Sequence, residues 1–154
     1  MSHIHEKIDF TVEVFIVYKN KVLLRMHDKH HRWLSVGGHI ELDEDPIQAA
    51  MREVKEEVGL KVEIIGSKPE IKDESDYKHL VSPKYLGCHI VNETHKHITF
   101  VYFALSSSDT IVDSLMEHER METRWATKEE LKAMGLRPNI LFYATEALKE
   151  LGKM

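Results

Sequence analysis

The chain has 154 residues, 42% of them hydrophobic and 31% charged, with a formal net charge of −5 when histidine is counted as neutral. That length suits a single domain, residues 1–154, with a sizeable core, and the negative charge argues against a broad nucleic-acid surface and a stable nucleic-acid partner. No apolar run approaches a membrane span, the opening MSHIHEKIDF lacks a signal-peptide layout, and the single cysteine, Cys88, rules out an internal disulfide, so no membrane partner and a reducing cytoplasmic setting are expected.

Phe10 to Val17 (FTVEVFIV) predicts a strand, Lys19-Asn20 a turn and Lys21 to Met26 its hairpin partner. His27, His30 and His31 then cluster with Lys29 and Arg32, a basic group that suits either a polyphosphate or a plain surface. Asp45 suits an N-cap, Pro46 the first helical position and Gly59 the left-handed residue past a helix end, which predicts a helix from Pro46 to Val58. Its apolar face carries Ile47, Ala50, Met51, Val54 and Val58. Glu53, Glu56 and Glu57 share another face, and Arg52 flanks Glu56 at i, i+4.

Leu60 to Ile65 predicts a further strand and Ser67 to Ser82 a polar loop. Tyr85 to Val91 and His97 to Leu105 predict two strands joined at Asn92 to His95. His95 and His97 form a His-x-His pair that can bind metal, although an exposed strand end is the preferred reading. Cys88 reads as a buried small residue. Arg124 to Ala126 predicts a short strand, Thr127 with Glu130 a capping box for a helix through Met134, and Asn139 to Leu151 a final amphipathic helix. Trp33 and Trp125 read as core or edge packing rather than base-stacking platforms. This order of strands and helices suits an α/β sandwich.

The chemistry concentrates between Gly38 and Leu60, GHIELDEDPIQAAMREVKEEVGL. Three carboxylates on one helix face repel one another, and a divalent cation reverses that balance. Oxygen-only ligands favour Mg²⁺, Mn²⁺ or Ca²⁺, and Mg²⁺ commonly bridges carboxylates and phosphate oxygens.

This segment resembles the Nudix box, the signature of the Nudix hydrolases, and matches its fixed positions at Gly38, Glu44, Arg52, Glu53, Glu56, Glu57 and Gly59. The family often has proline where this chain has Val36 and glycine where it has Asp43. The resemblance implies an α/β/α sandwich with a mixed central sheet and the box helix packed against it, its acidic face open. It implies hydrolysis of a nucleoside diphosphate linked to another moiety, with Mg²⁺ or Mn²⁺ as cofactor and a small nucleotide as substrate. Glu53, Glu56 and Glu57 match the metal-holding carboxylates, and the Gly37 carbonyl matches a further ligand. Arg52 matches the arginine that orients a catalytic glutamate, usually the one at Glu53. Glu44 matches the glutamate that brackets loop and helix, while Gly38 and Gly59 are structural in the motif.

Two features downstream point to a nucleoside triphosphate, an oxidised purine among the candidates, cleaved to monophosphate and pyrophosphate. Glu119 lies six residues before Trp125, similar to a loop glutamate that joins the metal site in some triphosphate enzymes of the family, with Glu117 and Glu122 as nearby competitors and a plain acidic loop as an equal alternative. Asn139 resembles an asparagine that reads a purine edge there, although an N-cap after Pro138 is the preferred reading. Tyr77 is spaced like a tyrosine of dinucleoside polyphosphate hydrolases, and ADP-sugar hydrolysis or nucleotide binding without turnover are the remaining alternatives.

Overall fold

The computed structural model describes residues 7–27, 31–112 and 122–153. In chain order its elements are β1 (Ile8–Tyr18), β2 (Lys21–His27), β3 (Arg32–Leu34), β4 (Val36–His39), α1 (Pro46–Val58), β5 (Val62–Ile65), β6 (Tyr85–Asn92), β7 (His95–Ser106), β8 (Thr123–Ala126), α2 (Lys128–Lys132) and α3 (Pro138–Leu151). β1 and β7 run parallel at the centre, from Ile8 beside Lys96 to Val17 beside Leu105. The pairings around them are antiparallel: β1 holds β4 at Thr11–Val14 and β2 at Val17–Tyr18, and β7 holds β5 and β6. β2 in turn pairs with β3 and β8.

Strand alternation divides the core into two layers. Val12, Val14 and Ile16 of β1 join Tyr102 and Ala104 of β7 under Ala49, Ala50, Val54 and Val58 of α1. Phe15 and Val17, with Val101 and Phe103, lie under Ile140, Ala144, Ala147 and Leu148 of α3. The result is the expected sandwich, helices on both faces of a mixed sheet. Among the described residues no helix is long and apolar enough to cross a membrane.

Helix α1 has the predicted limits because its ends are fixed chemically. The Asp45 side chain accepts from the Gln48 amide at 2.8 Å, and the Gln48 side chain accepts from the Asp45 amide at 2.9 Å. Gly59 adopts φ 66° and its amide donates to the Val54 carbonyl, closing the helix. The buried stripe is rotated from the expected one: Ala49 and Glu53 face inward, and Met51 is 40% exposed. The glycines of β4 explain the rotation. A Cβ on Gly38 would overlap Glu53 Oε1, so glycine there lets this acidic residue occupy part of the inner face.

Other departures have similar local causes. Val36-Gly37-Gly38-His39 forms a strand that the two glycines conceal in the sequence. A Cβ on Gly37 would overlap the Val12 carbonyl, so the strand needs glycine for close approach to β1. α2 ends at Lys132 rather than Met134, although the Thr127–Glu130 capping box forms. The β6–β7 hairpin is longer than expected, and His95 is 3% exposed rather than at an open strand end. It is buried because the neighbouring β1 covers it with Asp9, 3.4 Å away. Cys88, expected to be buried, is exposed, because β6 is paired only with β7 among the described residues. Trp33 and Trp125 pack against the edges of the two core layers, and the Trp125 indole donates to the Asp109 carbonyl at 3.0 Å.

Candidate active site

Arg52 organises the residues around the start of α1. Its Nε and Nη2 donate to the two oxygens of Glu44, at 2.6 and 2.9 Å, in a bidentate fork. Nη2 also donates to the His39 carbonyl at 3.0 Å. Nη1 donates to Glu53 at 2.9 Å and to Glu56 at 3.3 Å. Glu44 is itself anchored, because its Oε1 accepts from the Glu41 amide at 3.0 Å. The Arg52 guanidinium holds the Glu44 carboxyl below its ordinary range. One side chain thus ties together the loop before α1, strand β4 and two carboxylates of the helix.

The three helix carboxylates occupy different environments. Glu53 is buried, and burial pushes its pKa up to about 7 despite Arg52 beside it. Glu56 is open, its side chain 57% exposed. Glu57 is clamped: Arg25 Nη1 lies 2.7 Å from its Oε1, and the Gly37 amide donates to its Oε2 at 3.3 Å. The donor chemistry of the set suits a hard divalent cation, although the three carboxylates are not gathered as tightly as a closed metal site. The set is made of oxygen donors, and the buried Glu53 holds its proton to near neutrality until a positive charge compensates it.

These residues line one side of a cleft of about 960 Å³. Its floor is the α3-facing side of the sheet, where side chains change from apolar to polar along two adjacent strands. Phe15 and Val17 give way to Glu13 and Thr11 on β1, and Phe103 and Val101 to Thr99 and His97 on β7. Thr11 and Thr99 hydrogen-bond across the strands at 2.8 Å. Burial raises the pKa of Glu13 to about 7. Arg25, Arg32 and Arg137 line the cleft together with His27, His39, His89 and His97. These basic side chains give an anionic ligand local partners beside the carboxylates of the same cleft.

Most predicted site residues therefore come together. Glu53, Glu56, Glu57, Arg52, Gly37 and Gly38 border the cleft, and Glu44 stands behind Arg52. Asn139 borders it too, from the first turn of α3. The preferred reading of Asn139 as helix cap is overturned: Pro138 already starts the helix, and the N-cap is Arg137, which makes no side-chain capping bond. Of the basic group, His27 and Arg32 line the cleft and His31 does not, while Lys29 and His30 lie outside the described residues. Glu119, Glu117 and the rest of 113–121 also lie outside them. Tyr77 is 63% exposed on the long loop, against His79, and is not part of the cleft wall.

Sequence reading missed Arg25, Glu13 and Asp9. Each carried a signal, a charged residue at an inward position of an otherwise apolar strand. Asp9, Thr11 and Glu13 alternate within IDFTVEVFIV, and Arg25 follows the buried Val22-Leu23-Leu24.

The NUDIX domain family model matches residues 9–145. Among solved structures, a hydrolase of the NUDIX family from Clostridium perfringens is 40% identical, with a TM-score of 0.81 over 92% of this chain and 97% of that one. A NUDIX hydrolase from Nitrosomonas europaea is 19% identical, with a TM-score of 0.64 over 94% of this chain and 90% of that one. A mutator MutT protein from Bacillus halodurans is 16% identical, with a TM-score of 0.63 over 95% and 85% respectively; these two share the fold. The chain belongs to the NUDIX family and is a Nudix hydrolase, an enzyme that cleaves pyrophosphate linkages.

Proposed function

We propose that this Nudix hydrolase cleaves a nucleoside triphosphate, oxidised purine nucleotides included, to the monophosphate and pyrophosphate, and that Glu53, Glu56, Glu57 and the Gly37 carbonyl hold its Mg²⁺ or Mn²⁺. Use of divalent metals is general in the family. The observation that carries the reading is a single cleft bordered by the acidic cluster of α1 and by Asn139 of α3. A phosphate chain belongs at the first and a base at the second, where an amide that is not spent on capping is able to donate and accept.

The chain's own residues act as follows. Glu44 fixes the Arg52 fork, and Arg52 fixes the Glu53 carboxylate through Nη1. Arg25 fixes Glu57, leaving Glu56 open at the surface. Arg32, Arg137 and His27 hold the anionic chain against the cleft wall. When bound, Mg²⁺ or Mn²⁺ supplies charge neutralisation on the diphosphate and a lowered pKa for the attacking water.

A dinucleoside polyphosphate is less well supported, since Tyr77 stands away from the cleft. The retained carboxylates favour turnover over binding alone. Replacing Asn139 tests the substrate assignment. Asn139→Ala is expected to reduce discrimination between purine and pyrimidine triphosphates in kcat/KM by about 1–3 kcal/mol. Its melting temperature should stay close to that of the parent, because the side chain is exposed and caps nothing. An unchanged base preference would remove Asn139 from base recognition.

A further inference from the structure

We propose that Asp9, His95 and His97 form a second metal site, for a borderline transition ion of the Zn²⁺ class, separate from the acidic cluster of α1. One ligand atom from each of the three residues lies within 4.8 Å of the others. The strand register builds this grouping. Asp9 of β1 is the direct parallel neighbour of His97 on β7, and His95 lies two residues along the same face of β7. Asp9 and His95 are 1% and 3% exposed, so their side chains are fixed by the sheet rather than by solvent.

Within the set, the Asp9–His95 spacing matches tetrahedral coordination, and the three ligand atoms together lie within 4.8 Å. Metal–ligand bonds of about 2.0–2.1 Å in a tetrahedral Zn²⁺ site place ligand atoms about 3.3–3.4 Å apart. His95 Nε2 lies 3.4 Å from Asp9 Oδ2, and His39 Nε2 lies 3.3 Å from the same oxygen. His97 completes the set within 4.8 Å, its ring packed edge-to-face on those of His39 and His95, and because it also borders the cleft it gives an ion a route in. His39 holds the carboxylate from outside the ligand set, as a partner that orients a metal-bound Asp commonly does.

Ligand chemistry separates this site from the first. Two imidazoles and one carboxylate suit Zn²⁺, Co²⁺ or Ni²⁺, whereas the all-oxygen cluster of Glu53, Glu56 and Glu57 suits Mg²⁺. His39 links the two sites, since its backbone carbonyl accepts from Arg52 while its ring contacts Asp9.

The test uses the full, untagged chain, stripped with chelator, saturated with Mg²⁺ and titrated with Co²⁺. The expected result is one tight equivalent with the d–d absorption of a tetrahedral N/O site, displaced by Zn²⁺, and a melting temperature raised by one equivalent of Zn²⁺. Glu56→Gln should retain this equivalent. Asp9→Asn and His97→Gln should weaken it by at least ~100-fold. His97 is only half-buried, so its variant is informative even if Asp9→Asn folds poorly. Absence of a tight equivalent under saturating Mg²⁺ overturns the proposal. So does an equivalent that survives in His97→Gln, or one that disappears in Glu56→Gln.

Discussion

Gly38→Ala isolates the contact between β4 and the acidic helix. A Cβ at this position would overlap Glu53 Oε1 and lie 2.7 Å from Cδ and 3.1 Å from Oε2. Ordinary heavy-atom contacts lie near 3.5–4.0 Å, so the carboxylate must retreat by about 1 Å. The moving part is the end of a side chain, which limits the stability cost to about 1–2 kcal/mol. The catalytic cost is larger. Glu53 sits 2.9 Å from Arg52 Nη1, and a displacement of about 1 Å in a reacting constellation costs on the order of 10²-fold in rate. Steady-state kcat at saturating Mg²⁺, measured beside a thermal melt, reads both quantities. Gly135→Ala is the control: its φ of +66° strains alanine, but no heavy atom lies within 4 Å of the added Cβ. It should lose about 1 kcal/mol and keep its kcat. A Gly38→Ala protein that melts like the parent and turns over within about 3-fold of it would refute the placement of Glu53 in the chemistry.

Arg52→Lys keeps the charge and loses the fork that reaches Glu44, Glu53 and the His39 carbonyl at once. Its kcat should fall by at least ~10-fold with KM little changed, and an effect confined to KM in steady-state assays would point instead to phosphate binding. The raised pKa of Glu53, from 4.5 to about 7, has a stability consequence with a definite sign. The folded state favours the protonated form, so this contribution is full below about pH 4.5 and is lost as pH rises through about 7. Metal-free protein should therefore lose on the order of 2–3 kcal/mol between those values, with Glu13 adding in the same direction, and Mg²⁺ should restore stability above them. Chemical denaturation with chelator across this range checks it, and Glu53→Gln should flatten the slope.

Much of this was legible in the sequence because local chemistry dictated it. Asp45, Pro46 and Gly59 fix the ends of α1 through caps that need no tertiary partner, and the 3.6-residue period brings Glu53, Glu56 and Glu57 to the border of one cleft. What periodicity left open was the roll of the helix. Met51 turns out and Glu53 turns in, because the fit depends on missing side chains at Gly37 and Gly38 of a different strand. Non-local pairing explains the remaining misses. Arg25 reaches Glu57 from β2, and Asp9 covers His95 across a parallel pair some ninety residues apart in the chain. A polar residue at an inward strand position signals such a partner without naming it. The resemblance to the Nudix box supplied the reaction class, which the carboxylates alone narrow only to a hard cation.

In the proposed mechanism the open carboxylate of Glu56 completes a divalent-metal site for pyrophosphate-bond hydrolysis. Glu56→Gln tests it most directly, because the side chain is 57% exposed and the change keeps its shape, so the fold has little to lose. The measurement is pyrophosphate and phosphate release from a panel of nucleoside triphosphates, ADP-ribose and dinucleoside polyphosphates across a Mg²⁺ titration, parent against variant. Mg²⁺-dependent turnover by the parent is expected, with a loss of about 10²-fold or more in kcat for the variant at saturating Mg²⁺. Equal turnover by the two proteins at saturating Mg²⁺ would contradict it.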